Sequence, residues 1–173
     1  MFNIFKRKAV EPDGPFEFEH CIEIDRPAAE VYALVDWADP RNAKRALGNK
    51  IEQVGTSPDR FRMTLDFVPG HVFEMFVIEA VPGTTYAFEN EITPPPGRLV
   101  SSRETYTVEP LDEGTCRLWL VVSASFMGGL STEVLASEAV MVSVSCENAL
   151  TKLKVHAEQG VEAVHQIEAM QMG

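Results

Sequence analysis

Positive charge is scarce in this chain, and so are cysteine, histidine and long apolar runs. Fifteen Lys and Arg stand against 26 Asp and Glu, for a formal charge of −11. Phosphate backbones repel such a surface, so nucleic acid is not expected as a partner. No apolar run approaches the roughly 18 residues of a membrane-spanning helix. The start, MFNIFKRKAV, has no central apolar block and no small-residue cleavage site, so it does not read as a secretory signal. Lys6-Arg7-Lys8, beside Phe2, Ile4 and Phe5, would suit an anionic membrane, but a flexible segment over residues 1–15 is the expectation. Cys21, Cys116 and Cys146 are odd in number and widely spaced, which reads as reduced packing cysteines in a cytoplasmic protein.

Catalytic signatures are missing as well. There is no Gly-x-Ser-x-Gly elbow, and His20, His71, His156 and His165 have no paired spacing. Neither Cys-x-x-Cys nor His-x-x-x-His occurs, so no metal and no other cofactor is expected. Proline and glycine are absent from Ser131 to Glu158. That absence permits one long helix.

What is present is periodicity. FEFEHCIEID (Phe16–Asp25) alternates apolar and polar residues, as a strand with one buried face does. After Pro27, Val31, Leu34 and Val35 share a helical face. Ala38–Leu47 is a second helix candidate, with Asp39 as cap, Pro40 at the first helical position and Gly48 at the end. Strands then follow at Ile51–Gly55, Arg60–Phe67, Val72–Val81, Thr85–Ile92, Leu99–Pro110 and Thr115–Phe126, separated by turn residues. Short turns between consecutive strands imply an antiparallel meander. From Ser131 to Glu158, Leu135, Ala139, Val142, Cys146, Ala149, Leu150, Leu153 and Ala157 keep steps of three and four. The patch VMVSVS (Val140–Ser145) has strand propensity, but the stripe around it predicts one unbroken helix. Val161, Val164 and Ile167 would extend it beyond Gly160.

One strand, two helices, six strands and a long helix form a recognisable order. Within it, IEIDRPAAEVYALVDWAD (Ile22–Asp39) and YTVEPLDEGTCRLWL (Tyr106–Leu120) resemble the START-like or Bet v 1-like superfamily, also called SRPBCC or polyketide cyclase/dehydrase-like. GTSPDR (Gly55–Arg60) stands where the plant allergen branch carries a glycine-rich connection. The resemblance implies an α+β helix-grip fold: a curved seven-stranded antiparallel sheet around a long C-terminal helix, with two short helices between strands one and two. The domain would span residues 16–158, followed by a helical extension or tail over 159–173. It also implies a hydrophobic cavity between sheet and helix, and a strongly bent sheet leaves such space against a straight helix.

Candidate lining residues follow from strand parity: Phe61, Met63 and Leu65; Phe88 and Asn90; Glu104 and Tyr106; Leu118 and Leu120; and Met141 and Val142 from the long helix. Phe76 joins them if Pro69-Gly70 is a two-residue turn, which pairs Met63 with Phe76 and turns Val72, Glu74 and Ile78 inward. That register conflicts with an inward Phe88, so one of the two adjacent turns must be longer or bulged. Glu104 and His20, on inward faces, are the candidate acids or bases. Trp119 falls on the outer face, a place for a contact surface, and a homodimer is left open. Three functions remain open. One is a binding or carrier protein for a lipid, isoprenoid or polyketide. A second is a cyclase- or dehydratase-like enzyme using Glu104 or His20. The third is an interaction module of the chaperone-activator kind. Absence of a catalytic cluster favours the first.

Overall fold

The structure is a computed structural model and describes residues 11–65, 69–95 and 97–171. The Lys6-Arg7-Lys8 cluster, Asp66, Phe67 and Pro96 lie outside them. The elements run β1 (Asp13–Ile24), α1 (Ala28–Val35), α2 (Ala43–Ala46), β2 (Lys50–Gln53), β3 (Arg60–Thr64), β4 (Val72–Val81), β5 (Thr85–Thr93), β6 (Leu99–Pro110), β7 (Cys116–Phe126), α3 (Thr132–Gln159) and α4 (Val161–Gln171). All seven strands form one antiparallel sheet in the order β1-β7-β6-β5-β4-β3-β2. This is the helix-grip arrangement, with α3 lying along the sheet and the two short helices inserted after β1.

Alternation decides which side of the sheet is buried. In β7, Cys116, Leu118, Leu120, Val122, Ala124 and Phe126 are buried while every residue between them keeps some exposure. Their cross-strand neighbours in β6, Val108, Tyr106 and Glu104, lie on the same face. Aromatic edges knit this face together: Phe88 stacks on Tyr106 with ring centres 6.4 Å apart, and Trp37 meets Phe88 edge-on at 5.3 Å.

Helix α3 runs unbroken for 28 residues through VMVSVS. Ser131 caps it, its side chain accepting from the Val134 N–H. Cys146, Leu150 and Leu153 bury its inward stripe, while Val140, Met141 and Val144 stay exposed. The β-branched residues there spend their strand propensity against a helix held by tertiary packing. Gly160, at φ 90°, ends α3 by leaving right-handed backbone space, which glycine does at little cost. The chain then turns back: Lys152 on α3 bonds Glu168 on α4 at 2.8 Å, and Val164 is fully buried.

Pro27, whose missing N–H suits a first helical turn, is expected from the sequence to open α1; it is instead the residue before that helix. A second expectation about the short helices also needs correcting. The second helix is only Ala43–Ala46, and its cap is Asn42, not Asp39. Asn42 is buried and its side-chain oxygen accepts from the Lys44 and Arg45 N–H groups. Asp39 instead holds Arg41 through side chain and backbone, so its carboxylate is committed to a turn. Gly48 does end the helix, at φ 86°.

The register of β4 also differs from the two-residue-turn reading. Thr64 pairs with Val72, so the connection spans residues 65–71, and Met63 pairs with Phe73 rather than Phe76. This reverses the parity: Phe73, Met75 and Val77 face in. Phe76 is therefore corrected to the outer face, where the Arg60 guanidinium sits 5.0 Å from its ring centre. Glu74 is outside too, bonded to Arg60 and Arg62. An inward Phe88 is then reconciled by a bulge at Ile78 and a three-residue turn over 82–84.

Candidate functional site

Between the sheet and α3 lies a cleft with two lobes. The inner lobe has a volume of about 260 Å³. Met63 and Leu65 of the β3 segment, Phe73 of β4, Phe88 and Asn90 of β5, and Glu104 and Tyr106 of β6 form its floor. Lys152, Leu153 and His156 of α3 and Val164 of α4 close it from above, and the α1–α2 segment adds Leu34, Trp37, Asn42 and Lys44. The outer lobe, about 400 Å³, lies between Leu120, Val122, Ala124 and Phe126 of β7 and Glu138, Met141, Val142 and Cys146 of α3. Asn90, Glu104 and Ala149 border both lobes, so these three residues mark the junction. A shallower hollow of about 490 Å³, lined by Arg26, Glu30, Arg41 and Ala46, adjoins the inner lobe through Leu34 and His156.

Strand register explains the junction. Glu104 pairs with Phe88 on one side and Val122 on the other, so its carboxyl rises from an apolar floor. The Tyr106 hydroxyl, two residues along the same face, donates to it at 3.1 Å. Burial pushes the Glu104 pKa up, and the Tyr106 hydrogen bond and the Lys44 charge only partly offset that. Burial and the neighbouring Glu104 charge likewise hold Tyr106 far above the usual phenol range. Desolvation lowers the Lys44 pKa, with the Glu104 charge opposing the shift and Lys152 adding to it. By accessible surface Glu104 is half-buried and Lys44 exposed. Cys146, bordering the outer lobe, is pushed up to about 11 by burial and then by Glu104.

Trp37 is placed by backbone contacts. Its N–H donates to the buried Tyr86 hydroxyl at 3.0 Å, and its carbonyl accepts from Arg45 at 2.9 Å. Nothing in the local pattern around Asp36-Trp37-Ala38 announces this, because the segment is neither helix nor strand. Lys44, Lys152, His156 and Val164 were not expected at the site either. The first owes its place to the Asn42 cap, and the last to the reversal at Gly160.

Of the residues expected to line a cavity, Met63, Leu65, Phe88, Asn90, Glu104 and Tyr106 meet at the inner lobe. Leu120, Met141 and Val142 border the outer lobe, Met141 with more than half of its surface exposed. Phe61 and Leu118 are buried in the core behind it. His20 is drawn to α3, where its Nε2 lies 3.1 Å from the Ser143 hydroxyl, outside both lobes. Trp119 is on the outer face with its indole N–H on Glu109. Among the described residues no three His, Cys, Asp or Glu side chains are grouped to hold a metal. Likewise, no described helix is long and apolar enough to cross a membrane.

The family model described as polyketide cyclase / dehydrase and lipid transport matches residues 15–158. Comparison with curated proteins finds no significant match. Among solved structures, the di-domain ARO/CYC BexL from the BE-7585A biosynthetic pathway is similar, with 26% identity and a TM-score of 0.67. The match covers 82% of this chain and 46% of BexL. The chain spans about half of the DynU16 structure too, at 48%. The Zhui aromatase/cyclase from Streptomyces sp. R1128 is 18% identical with a TM-score of 0.59, over 84% of this chain and 95% of that one. Truncated norcoclaurine synthase from Thalictrum flavum is 13% identical with a TM-score of 0.60, over 86% and 96%. These last two likenesses concern the fold.

Proposed function

We propose, for a chain that belongs to the polyketide cyclase / dehydrase and lipid transport family, that the two-lobed cleft binds a small hydrophobic molecule and meets its polar group at Glu104 and Tyr106. The observation that carries this reading is a carboxyl at the junction of two largely apolar lobes, flanked by Phe88 and Val122 and bonded to a single phenol. A buried ionisable group is costly to keep, and purely structural roles rarely require one in a cleft. The open interior also weighs against a solidly packed module acting only through its surface.

A second reading, proton transfer in a cyclase- or dehydratase-like reaction, is favoured by one specific feature. The upward shift of Glu104 brings a carboxylic acid nearer to the range where it can donate and recover a proton. Only Tyr106 is hydrogen-bonded to Glu104 among the described residues, with no second acid or base bonded to it, and this reading stays second.

Thermal denaturation with a panel of lipids, isoprenoids and aromatic polyketides tests the first reading. At a hundred times its dissociation constant a ligand adds about 2.7 kcal/mol. For a chain of this size that raises Tm by roughly 5–11 °C. A panel with no shift would sink the binding reading. For any ligand that is also turned over, Glu104→Gln should cost about 10²-fold or more in rate with affinity largely kept. Equal losses in both return Glu104 to a binding role.

A further inference from the structure

Among the described residues, Lys50 holds Glu52 at 3.0 Å, Lys152 holds Glu168 at 2.8 Å and Lys154 holds Glu158 at 2.6 Å. Lys44 alone has no carboxylate within ion-pair distance among those residues. Its backbone N–H is bonded to the Asn42 side chain at 3.0 Å, which fixes its place at the start of α2. From there it lines the inner lobe with Phe88, Glu104 and Tyr106. Lys44 is exposed, so a dissolved molecule can reach it. Desolvation and the Lys152 charge lower its pKa against the charges of Glu104 and Glu168, which favours the free amine. Burial raises the Glu104 pKa and so favours its protonated form. A free amine and a carboxylic acid beside one apolar lobe are the two parts that carbonyl condensation needs.

We propose that Lys44 is a nucleophilic amine of the inner lobe, one that condenses with an apolar aldehyde or ketone while Glu104 supplies the proton that releases water. The proposal rests on the binding reading above, because the carbonyl compound must first occupy the lobe. The Lys44 nitrogen adds to the carbonyl carbon, and one of its protons moves to the carbonyl oxygen, giving a carbinolamine. The C–O bond then breaks as the Glu104 carboxylic acid protonates that hydroxyl, which leaves as water. A Lys44 iminium and a Glu104 carboxylate remain, and nothing has been oxidised or reduced. The charges these two groups gain are opposite, so each stabilises the other in the lobe.

Octanal and 1-octanol test this on the full chain, since they share an apolar tail and only the aldehyde can condense. With octanal, sodium cyanoborohydride reduces the imine to a stable octyl-lysine, and peptide mapping separates each lysine from the α-amino group. Lys44 should be alkylated about tenfold or more faster than Lys50, which is bonded to Glu52. Excess 1-octanol should raise Tm and slow the labelling of Lys44 while leaving that of Lys50 unchanged. Lys44→Arg keeps the charge without the amine, and should lose this label with Tm kept. In Glu104→Gln, loss of the carboxylate charge by itself frees more Lys44 amine, so slower labelling there reports the missing acid. Unchanged or faster labelling in that variant overturns the proposal. So does labelling of Lys44 that 1-octanol fails to slow. Equal labelling of Lys44 and Lys50, with 1-octanol still raising Tm, overturns it and leaves the binding reading standing. If Lys44 is not favoured, and neither 1-octanol nor the panel above shifts Tm, both fall.

Discussion

Removing one hydroxyl, in Tyr86→Phe, tests how the cleft is assembled. Tyr86 is 2% exposed, and its oxygen accepts the Trp37 N–H at 3.0 Å in a buried setting. This bond ties β5 to the irregular segment after α1 and thereby sets the indole against Phe88. Phenylalanine keeps the ring contacts with Tyr32 and Phe88 at 6.0 and 6.2 Å. What it removes is the acceptor, so the Trp37 amide is left buried and unpaired. That costs about 1–3 kcal/mol. At roughly 2–4 °C per kcal/mol for a chain of this length, Tm should fall by about 2–12 °C. Differential scanning calorimetry measures the fall, and amide exchange should show the Trp37 N–H losing protection while β7 amides keep theirs. A Tm within about 1 °C of the parent, with Trp37 protection unchanged, would refute the claim that this bond positions the indole.

Two further outcomes are expected. Because the folded Glu104 pKa lies above its unfolded value, its contribution is fully present below about pH 4.5 and is lost as pH rises through the folded value. Glu104→Gln should therefore gain stability over the parent as pH is raised from 5 to 8 in urea titrations, and a constant gap would contradict the burial argument. Leu120→Trp projects into the outer lobe from a strand that is otherwise unchanged. It should shrink the ligand-induced Tm shift while far-ultraviolet circular dichroism keeps the parental sheet signal, and an undiminished shift would show that ligands do not occupy that lobe.

The parts of the fold that were legible in the chain were those where one local rule and tertiary packing agree. In β7 the alternation of Leu118, Leu120 and Val122 with Arg117, Trp119 and Val121 reads the same before and after folding. The helical stripe from Leu135 to Ala157 outweighed the strand propensity of VMVSVS, because a missing breaker over so long a span is itself information. Phe76 shows the opposite case. Its parity depends on how many residues the β3–β4 connection contains and on one extra residue at Ile78, and a period of two carries no memory of either. A one-residue uncertainty is enough to turn a whole strand over.

The candidate site was half legible for the same reason. Glu104, Tyr106, Phe88 and Asn90 sit on strands, where parity assigns a face. Trp37 and Lys44 sit on either side of a turn whose shape comes from Asn42, a residue with 1% exposure that bonds the Asp36 carbonyl as well as the α2 N–H groups. Asp39 looked like the better cap by position, but the helix starts only at Ala43 and the Asp39 carboxylate is held by Arg41. Val164 is more remote still. It borders the inner lobe from α4, and the family match stops at residue 158.

That boundary bears on what the inner lobe can accept. Its two lysines come from different elements, Lys44 near α2's start and Lys152 on α3, and each already faces an acid. Lys152 bonds Glu168 of α4 at 2.8 Å, and Lys44 feels the charge of Glu104 across the lobe. An anionic ligand would have to displace one of these partners, in a chain whose formal charge of −11 already slows its approach. A cationic one would leave Lys44 beside it. A neutral ligand disturbs neither balance, and on the proposed reading it can still meet the Glu104–Tyr106 pair. If α4 were removed, Lys152 would be released and Val164 would no longer close the lobe, so the charge preference and the size of the site would change together. The extension beyond the family's span thus reaches the inner lobe in two ways at once, through one ion pair and one valine.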